Sequence, residues 1–184
     1  MKNKISVGEI VKYLFYLQRE LSTDEVSERV LKEGQWYHQK LGFNQPEIFQ
    51  RYFKYNENGN HEWWLVRGCP DRIEIEEGVL YVDELKTVRN NRKSRMLEIG
   101  STQANLYAWL VGSELYRVFL YDVLAESMEE YVFKFDGEKA ERDIRRGIET
   151  KKMFKEMSKK FRKRATELRE DAYPTSVETR IKGV

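Results

Sequence analysis

Two carboxylates and a lysine stand in a telling order in GCPDRIEIEEGVLYVDELKTV, residues 68–88. Asp71 follows Pro70 at the end of one strand-forming stretch, and Glu84 and Lys86 lie two apart on another. Side chains two apart on a strand share a face. A hairpin between the stretches can bring Asp71 alongside, so that two carboxylates and an ammonium converge at one end of a sheet. Close carboxylates repel each other unless a cation lies between them, and hard oxygen ligands favour Mg²⁺ or Mn²⁺ over softer metals. A cation there would bind a scissile phosphate, stabilise its growing charge and acidify a water. Lys86 can orient that water or help deprotonate it. Leu85 points into the core and leaves its carbonyl for the metal.

The flanking elements must build that end of the sheet. Residues 5–21 predict an amphipathic helix, with Val7, Ile10, Val11, Leu14, Leu17 and Leu21 at spacings of three and four. Ser22 or Thr23 caps a second helix, which carries Val26, Val30, Leu31, Trp36, Tyr37 and Leu41 and ends at Gly42. Strands are expected over 47–55, 61–68, 72–78, 79–88, 114–125 and 129–136, with turns at 56–60 and at Asp136-Gly137. The stretch 79–88 is almost continuously apolar until its charged end, which suits a sheet centre. A basic loop follows at 89–95, then a helix over 96–111 and a long charged helix over 138–170. The apolar stripe of that last helix slips phase between Ile144 and Ile148 on one side and Phe154, Met157, Phe161 and Leu168 on another. A bend near Gly147 or two separate contacts would explain the slip. The order predicts one α/β domain over 1–170, a central mixed sheet flanked by helices, with a loosely held tail at 171–184. Within it, 1–45 supplies N-terminal helices, 46–136 the sheet core and 137–170 a basic helical segment.

A length of 184 residues suits one domain and buries a core without staples. The single cysteine, Cys69, excludes an internal disulfide and any metal or cluster site needing several thiolates of this chain. A reduced, cytoplasmic setting is expected. No membrane span is expected, since no run approaches the roughly 18 apolar residues one needs. Glu9 and Lys12 interrupt the apolar N-terminal stretch, so no signal peptide is expected either. Net charge is only +2, but it is uneven: residues 137–170 carry a net of +6. The run KKMFKEMSKKFRKR, 151–164, is either a phosphate-binding face or a solvated face over a buried stripe. The loop holding Arg89, Arg92, Lys93 and Arg95 directly follows the Glu84–Lys86 strand, and that position makes it the better candidate for nucleic-acid backbone contacts.

Pro70-Asp71 with Glu84-Leu85-Lys86 resembles the motif of the PD-(D/E)xK nuclease superfamily. Upstream, Gly34 and His38 match the Gly-x-x-x-His of its RecB-type members, where the histidine is a metal ligand. Downstream, Gln103 and Tyr107 match their Gln-x-x-x-Tyr motif on the helix after the ExK strand. Each pair is four apart and so shares a helix face. The glycine would let its face approach the sheet, and Gln103 and Tyr107 would point together at a bound strand. The resemblance implies a restriction-endonuclease-like core, with Asp71, Glu84 and Lys86 catalytic. It also implies Mg²⁺ or Mn²⁺ held by His38, Asp71, Glu84 and the Leu85 carbonyl.

The activity so implied is metal-dependent hydrolysis of DNA phosphodiesters, leaving a 5′-phosphate and a 3′-hydroxyl. Its substrates would be single strands or duplex ends in recombination, repair or CRISPR-type processing, with DNA as partner and a homo-oligomer or DNA-processing complex as setting. The alternatives are a structure-specific endonuclease or junction resolvase of the same superfamily, and an inactive nucleic-acid-binding module on the same fold. Inactive copies typically lose a ligand or the lysine, whereas His38, Asp71, Glu84 and Lys86 are all present. CRISPR-associated relatives of this type usually carry four cysteines for an iron–sulfur cluster. Residues 13–21 and 171–184 have none, so no cluster is expected.

Other residues invite plainer readings. His61 sits beside a turn and is expected to be exposed. Asp83 alternates to the face opposite Glu84 and suits a salt bridge or helix contact. Of Trp63 and Trp64, one faces the core and one the other side; either can stack on bases, and packing is the favoured role. Cys69 is expected to be a small packed residue.

Overall fold

A two-residue turn sets the register on which the rest depends. Glu77 and Gly78 both have positive φ, 50° and 81°, and join strands β4 (Arg72–Glu76) and β5 (Val79–Val88). Such turns match the twist of a hairpin, and glycine adopts this backbone without penalty. The pairs run from Glu76↔Val79 to Arg72↔Asp83. One step further along the same ladder, Asp71 comes opposite Glu84.

The computed structural model describes residues 3–15, 28–44, 47–57, 59–89 and 92–172. Before the hairpin come β1 (Lys4–Ser6), α1 (Val7–Phe15), α2 (Glu28–Lys40), β2 (Phe49–Glu57) and β3 (Asn60–Gly68). After it come α3 (Lys93–Val111), β6 (Leu115–Asp122), β7 (Ser127–Lys134) and α4 (Gly137–Ala172). The strands form two mixed sheets, ordered β1-β3-β2 and β4-β5-β6-β7. They divide at Cys69-Pro70, where proline has no amide hydrogen to continue a ladder. In the second sheet β5 pairs parallel with β6, and antiparallel strands close both edges. Among the described residues no helix is long and apolar enough to cross a membrane.

Several boundaries differ from the sequence expectation for local reasons. Residues 4–6 are not helical but pair parallel with β3. The helix starts behind them on a reciprocal cap: the Ser6 amide donates to Glu9 Oε2 at 2.9 Å, and the Glu9 amide to Ser6 Oγ at 3.1 Å. The expected continuation to residue 21 and the Ser22 or Thr23 cap lie outside the described residues. The basic loop is shorter than 89–95, because α3 begins at Lys93. Asp136-Gly137 is not a reversal but the start of α4, since Asp136 Oδ1 accepts the Lys139 amide at 2.9 Å. The buried Asn105 of α3 fixes that cap, exchanging two 2.9 Å hydrogen bonds with the Asp136 backbone.

The chain divides into two units, residues 1–148 and 149–184. The expected 1–170 domain comprises the first unit and much of the second. In the first unit, α4 buries Ala140, Ile144 and Ile148. A Cβ at Gly147 would come within 2.8 Å of Ile10, so a bare glycine lets α4 lie against α1. In the second unit α4 continues as a basic helix to Ala172, and Met157 and Phe161 of its expected apolar stripe are exposed. The main core joins α1, α3 and the inner faces of both sheets. A smaller cluster of Phe43, Leu85, Phe119 and Tyr121 packs against Tyr37 and Leu41 near α2.

Three glycines test how tightly these layers meet. A Cβ at Gly68 would lie 2.5 Å from the Tyr107 ring, and one at Gly100 would lie 2.8 Å from Val118 and 3.2 Å from Lys86. Gly34, expected to let α2 approach the sheet, has open space around it instead: a Cβ there would meet nothing within 4 Å. Gly68→Ala should therefore cost about 1–3 kcal/mol by overpacking. Gly34→Ala, in a helix interior with room to spare, should gain up to about 1 kcal/mol. Denaturant unfolding of both variants checks this, and changes of the same sign would contradict the packing described.

Candidate active site

Glu84 is one of two adjacent acids of β5 that are fully buried. It lies at the centre of β5 with 0% exposure, facing α3, while its neighbours Asp83 and Leu85 point to the opposite side of the sheet. Its Oε1 accepts a hydrogen bond from Lys86 Nζ, two residues along the same face. Its Oε2 is buried and accepts no hydrogen bond from a donor; the carboxyl beside it is that of Asp71, with which it can pair only when one of the two is protonated. An unpartnered buried carboxylate oxygen is costly. Burial, and after it the charge of Asp71, pushes the Glu84 carboxyl up to about 8; Lys86 acts in the other direction.

Asp71 is half-buried where the chain crosses from β3 to β4. Its Oδ2 accepts the Leu85 amide at 2.8 Å, tying it to the strand that carries Glu84 and Lys86. Its Oδ1 lies 3.3 Å from His38 Nδ1. His38 arrives from α2 near the end of that helix, on the side of the sheet lined by Leu85. The site is thus assembled from both faces of the sheet at one end of its strands.

Lys86 donates to Glu84 Oε1 and to Gln103 Oε1, the latter at 3.0 Å. Gln103 Nε2 in turn donates to the Tyr107 hydroxyl at 3.3 Å. Tyr107 is only 6% exposed, and its ring lies against Gly68. Burial, followed by the nearby Glu84 charge, pushes its phenol well above the usual tyrosine range. Tyr107 therefore lies behind Gln103, with its hydroxyl engaged by that side chain. Gln103 itself is half-buried and faces Lys86.

The basic residues that follow β5 disperse. Arg89 pairs with Glu33 of α2, Lys93 with Glu129 of β7, and Arg95 donates to the Phe15 carbonyl at 3.2 Å. Arg92 is exposed at the start of α3. Cys69 is half-buried beside the site, and burial, with Asp71 adding to it, pushes its thiol up. A raised thiol is a poor nucleophile at neutral pH.

Two residues of the site were not singled out by sequence reasoning, Gly68 and Gly100. Their role is to be empty: they let Tyr107 and the Lys86 stem sit against the backbone. The signal for one was present, because Gly100, Gln103 and Tyr107 are spaced three and four apart and share one face of α3.

The donor set suits a hard divalent cation: two carboxylates, one with a buried oxygen that no donor reaches, beside an imidazole. Among the described residues, no three His, Cys, Asp or Glu side chains are already closed around a single point. The orphaned Glu84 oxygen is therefore the feature that favours a cation here.

Residues 9–180 match the family model of the PD-(D/E)XK nuclease superfamily. Among solved structures, SSO0001 is similar over 80% of this chain and 76% of its own, with 22% identity and a TM-score of 0.57. LHK-Exo in complex with dAMP is similar over 90% of this chain and 94% of its own, with 10% identity and a TM-score of 0.48. The alkaline exonuclease LHK-Exo from Laribacter hongkongensis has the same identity and coverage and a TM-score of 0.47. No curated protein matches the chain.

The raised Glu84 carboxyl makes a prediction for the metal-free protein. Between the ordinary carboxylate range and about 8, Glu84 is protonated when folded and ionised when unfolded. The unfolded chain then binds fewer protons, so stability falls as pH rises through that window and levels off above it. Glu84→Gln should flatten this slope. It should also leave the chain more stable than the parent at about pH 9, by on the order of 1 kcal/mol or more. Denaturant midpoints in EDTA across that range measure both effects. An unchanged slope would show that Glu84 is not buried as a neutral acid.

Proposed function

Because the chain belongs to the PD-(D/E)XK nuclease superfamily, we propose that it is a metal-dependent deoxyribonuclease of the RecB type. It hydrolyses DNA phosphodiesters in single strands or at duplex ends. The observation that carries this reading is Glu84, fully buried between Asp71 and Lys86 with one oxygen unpartnered. Without a cation the desolvation cost is relieved only by holding the carboxyl as a neutral acid, and a cation between Asp71 and Glu84 would offset it with both acids ionised. The presence of all four polar side chains, His38, Asp71, Glu84 and Lys86, favours an active enzyme over an inactive binding module.

Asp71, Glu84, His38 and the Leu85 carbonyl would hold Mg²⁺ or Mn²⁺, which supplies charge stabilisation for the phosphate and makes a neighbouring water acidic. The chain's own groups do the positioning. Asp71 is locked by the Leu85 amide, so its carboxylate keeps one orientation relative to Glu84. Gln103, backed by Tyr107, holds Lys86 on the face of β5 that carries Glu84. From there the ammonium orients the attacking water and offsets the charge that grows on the phosphate oxygens. With no cysteine besides Cys69, no iron–sulfur cluster takes part. DNA processing in recombination, repair or CRISPR-type adaptation is the setting this chemistry suits.

End-labelled single-stranded, duplex and circular DNA, each incubated with Mg²⁺, Mn²⁺ or EDTA, tests the proposal. Cleavage with either metal and none in EDTA is expected. Cutting of circles would assign endonuclease action, and inert behaviour in both metals would contradict the enzyme. Lys86→Ala should lower single-turnover cleavage by about 10² or more. DNA affinity at the same salt should fall far less, since one lysine carries only a share of the electrostatic attraction. Lys86→Arg should not restore the rate, because a guanidinium is bulkier and does not give up its proton. A parallel fall in cleavage and binding would make Lys86 a phosphate anchor instead.

A further inference from the structure

The three-stranded sheet buries one face, and among its described residues on the other face only Leu65 is buried. Phe53, Tyr55, Trp64 and Val66 point inward and are buried. By strand alternation Tyr52, Lys54, Trp63 and Arg67 point outward, and all four are exposed. Tyr52 is 52% and Trp63 57% exposed, and their rings meet edge to face at 6.4 Å. Two large aromatics held together in solvent gain little for the fold, and such patches mark interaction sites.

The chemistry of the surroundings selects the occupant. Lys54 pairs across the ladder with Trp63, Lys4 lies on the neighbouring strand opposite Leu65, and Arg67 closes the row. Among the described residues of the three strands, no Asp or Glu falls on this outward face; Glu57 and Glu62 alternate to the other one. A second protein's apolar patch would not call for cations without anions. Nucleic-acid single strands present what this face matches, stackable bases joined by phosphates.

The face also leads to the site. Strand β3 carries Trp63 and Arg67 and runs through Gly68-Cys69-Pro70 into Asp71. Trp63 and Asp71 are eight positions apart, so the path is at most about 28 Å. A strand of a few nucleotides covers that reach, within the footprint usual for aromatic platforms.

We propose that the open face of the β1-β3-β2 sheet is a stacking platform for single-stranded DNA, with bases on Tyr52 and Trp63 and phosphates on Lys54 and Arg67. The inference rests on the nuclease reading of the site, whose substrate it narrows to single strands.

The test is fluorescence anisotropy of a labelled oligothymidylate and of a labelled duplex, both in EDTA so that nothing is cut. The double variant Tyr52→Ala/Trp63→Ala should bind the single strand about five-fold or more weakly. Duplex affinity should change less than about two-fold, because phosphate contacts dominate it. Trp63→Phe should recover part of the loss, since a ring remains to stack. Lys54→Ala/Arg67→Ala should reduce the slope of log affinity against log salt by about 1.4, the share of two phosphate contacts on a single strand. Both aromatic side chains are exposed, so an unchanged melting temperature accompanies the expected result. Unchanged single-strand affinity would overturn the platform, as would equal losses on both DNAs. A drop in oligomer size with DNA affinity unchanged would also overturn it and assign the face to a second copy. Failure of the nuclease reading is separable: a protein that loses single-strand affinity on substitution but never cleaves in Mg²⁺ or Mn²⁺ keeps the platform and refutes the enzyme.

Discussion

Burying Glu84 without satisfying both of its oxygens is the constraint to which the rest of the site answers. An ionised carboxylate in such a place is unfavourable, and here Lys86 compensates only one oxygen. Keeping Lys86 in place requires Gln103, and keeping Gln103 in place requires Tyr107. Tyr107 fits only because Gly68 has no side chain, and the Lys86 stem passes α3 only because Gly100 has none. A destabilised carboxylate is thus embedded in a scaffold packed too closely to relax around it. That is the usual exchange of stability for function, and the proposed cation would relieve it.

The opposite face of the same strand shows the contrast. Asp83, adjacent to Glu84 and equally buried, accepts from Arg72 at 2.7 Å and from Arg117 at 2.7 and 2.9 Å. Burial disfavours the charge on Arg117, yet hydrogen bonds to Asp83, Glu76 and Glu74 outweigh it and hold the guanidinium above its usual range. Its plane lies over Tyr81, and Arg72 lies over Phe43. Here every charge has a partner, so the network braces the β4–β5 hairpin and fixes the register that sets Asp71 beside Glu84. Two buried acids on one strand therefore do different work, one paired and structural, the other left short of a partner.

Much of this was legible in the sequence, for reasons particular to each element. Strand β5 was readable to the residue because its apolar run is bounded by a glycine turn and a basic segment. The opposed fates of Asp83 and Glu84 followed from the two-residue period alone, as did the split between buried Trp64 and exposed Trp63. The first helix was overextended at its start by two residues, since the apolar spacing that marks it begins only at Val7 and residues 5 and 6 belong to β1. The Ser6-x-x-Glu9 cap that ends the strand was the local signal that marks this start. The role of Gly34 was misread because spacing shows which face a residue occupies, not what stands opposite it. The Arg117 network was invisible for the same reason, since its partners come from separated positions on neighbouring strands.

The central claim is that the orphaned oxygen of Glu84 exists for a divalent cation. Titration of the metal-free protein with Mn²⁺, followed by the loss of the free-ion electron paramagnetic resonance signal, tests this without any substrate. Saturable uptake is expected for the parent chain, and its loss in both Asp71→Asn and Glu84→Gln, whose folds are checked by circular dichroism. Equal Mn²⁺ uptake by the parent and by both folded variants, or none by any of them, would contradict that claim.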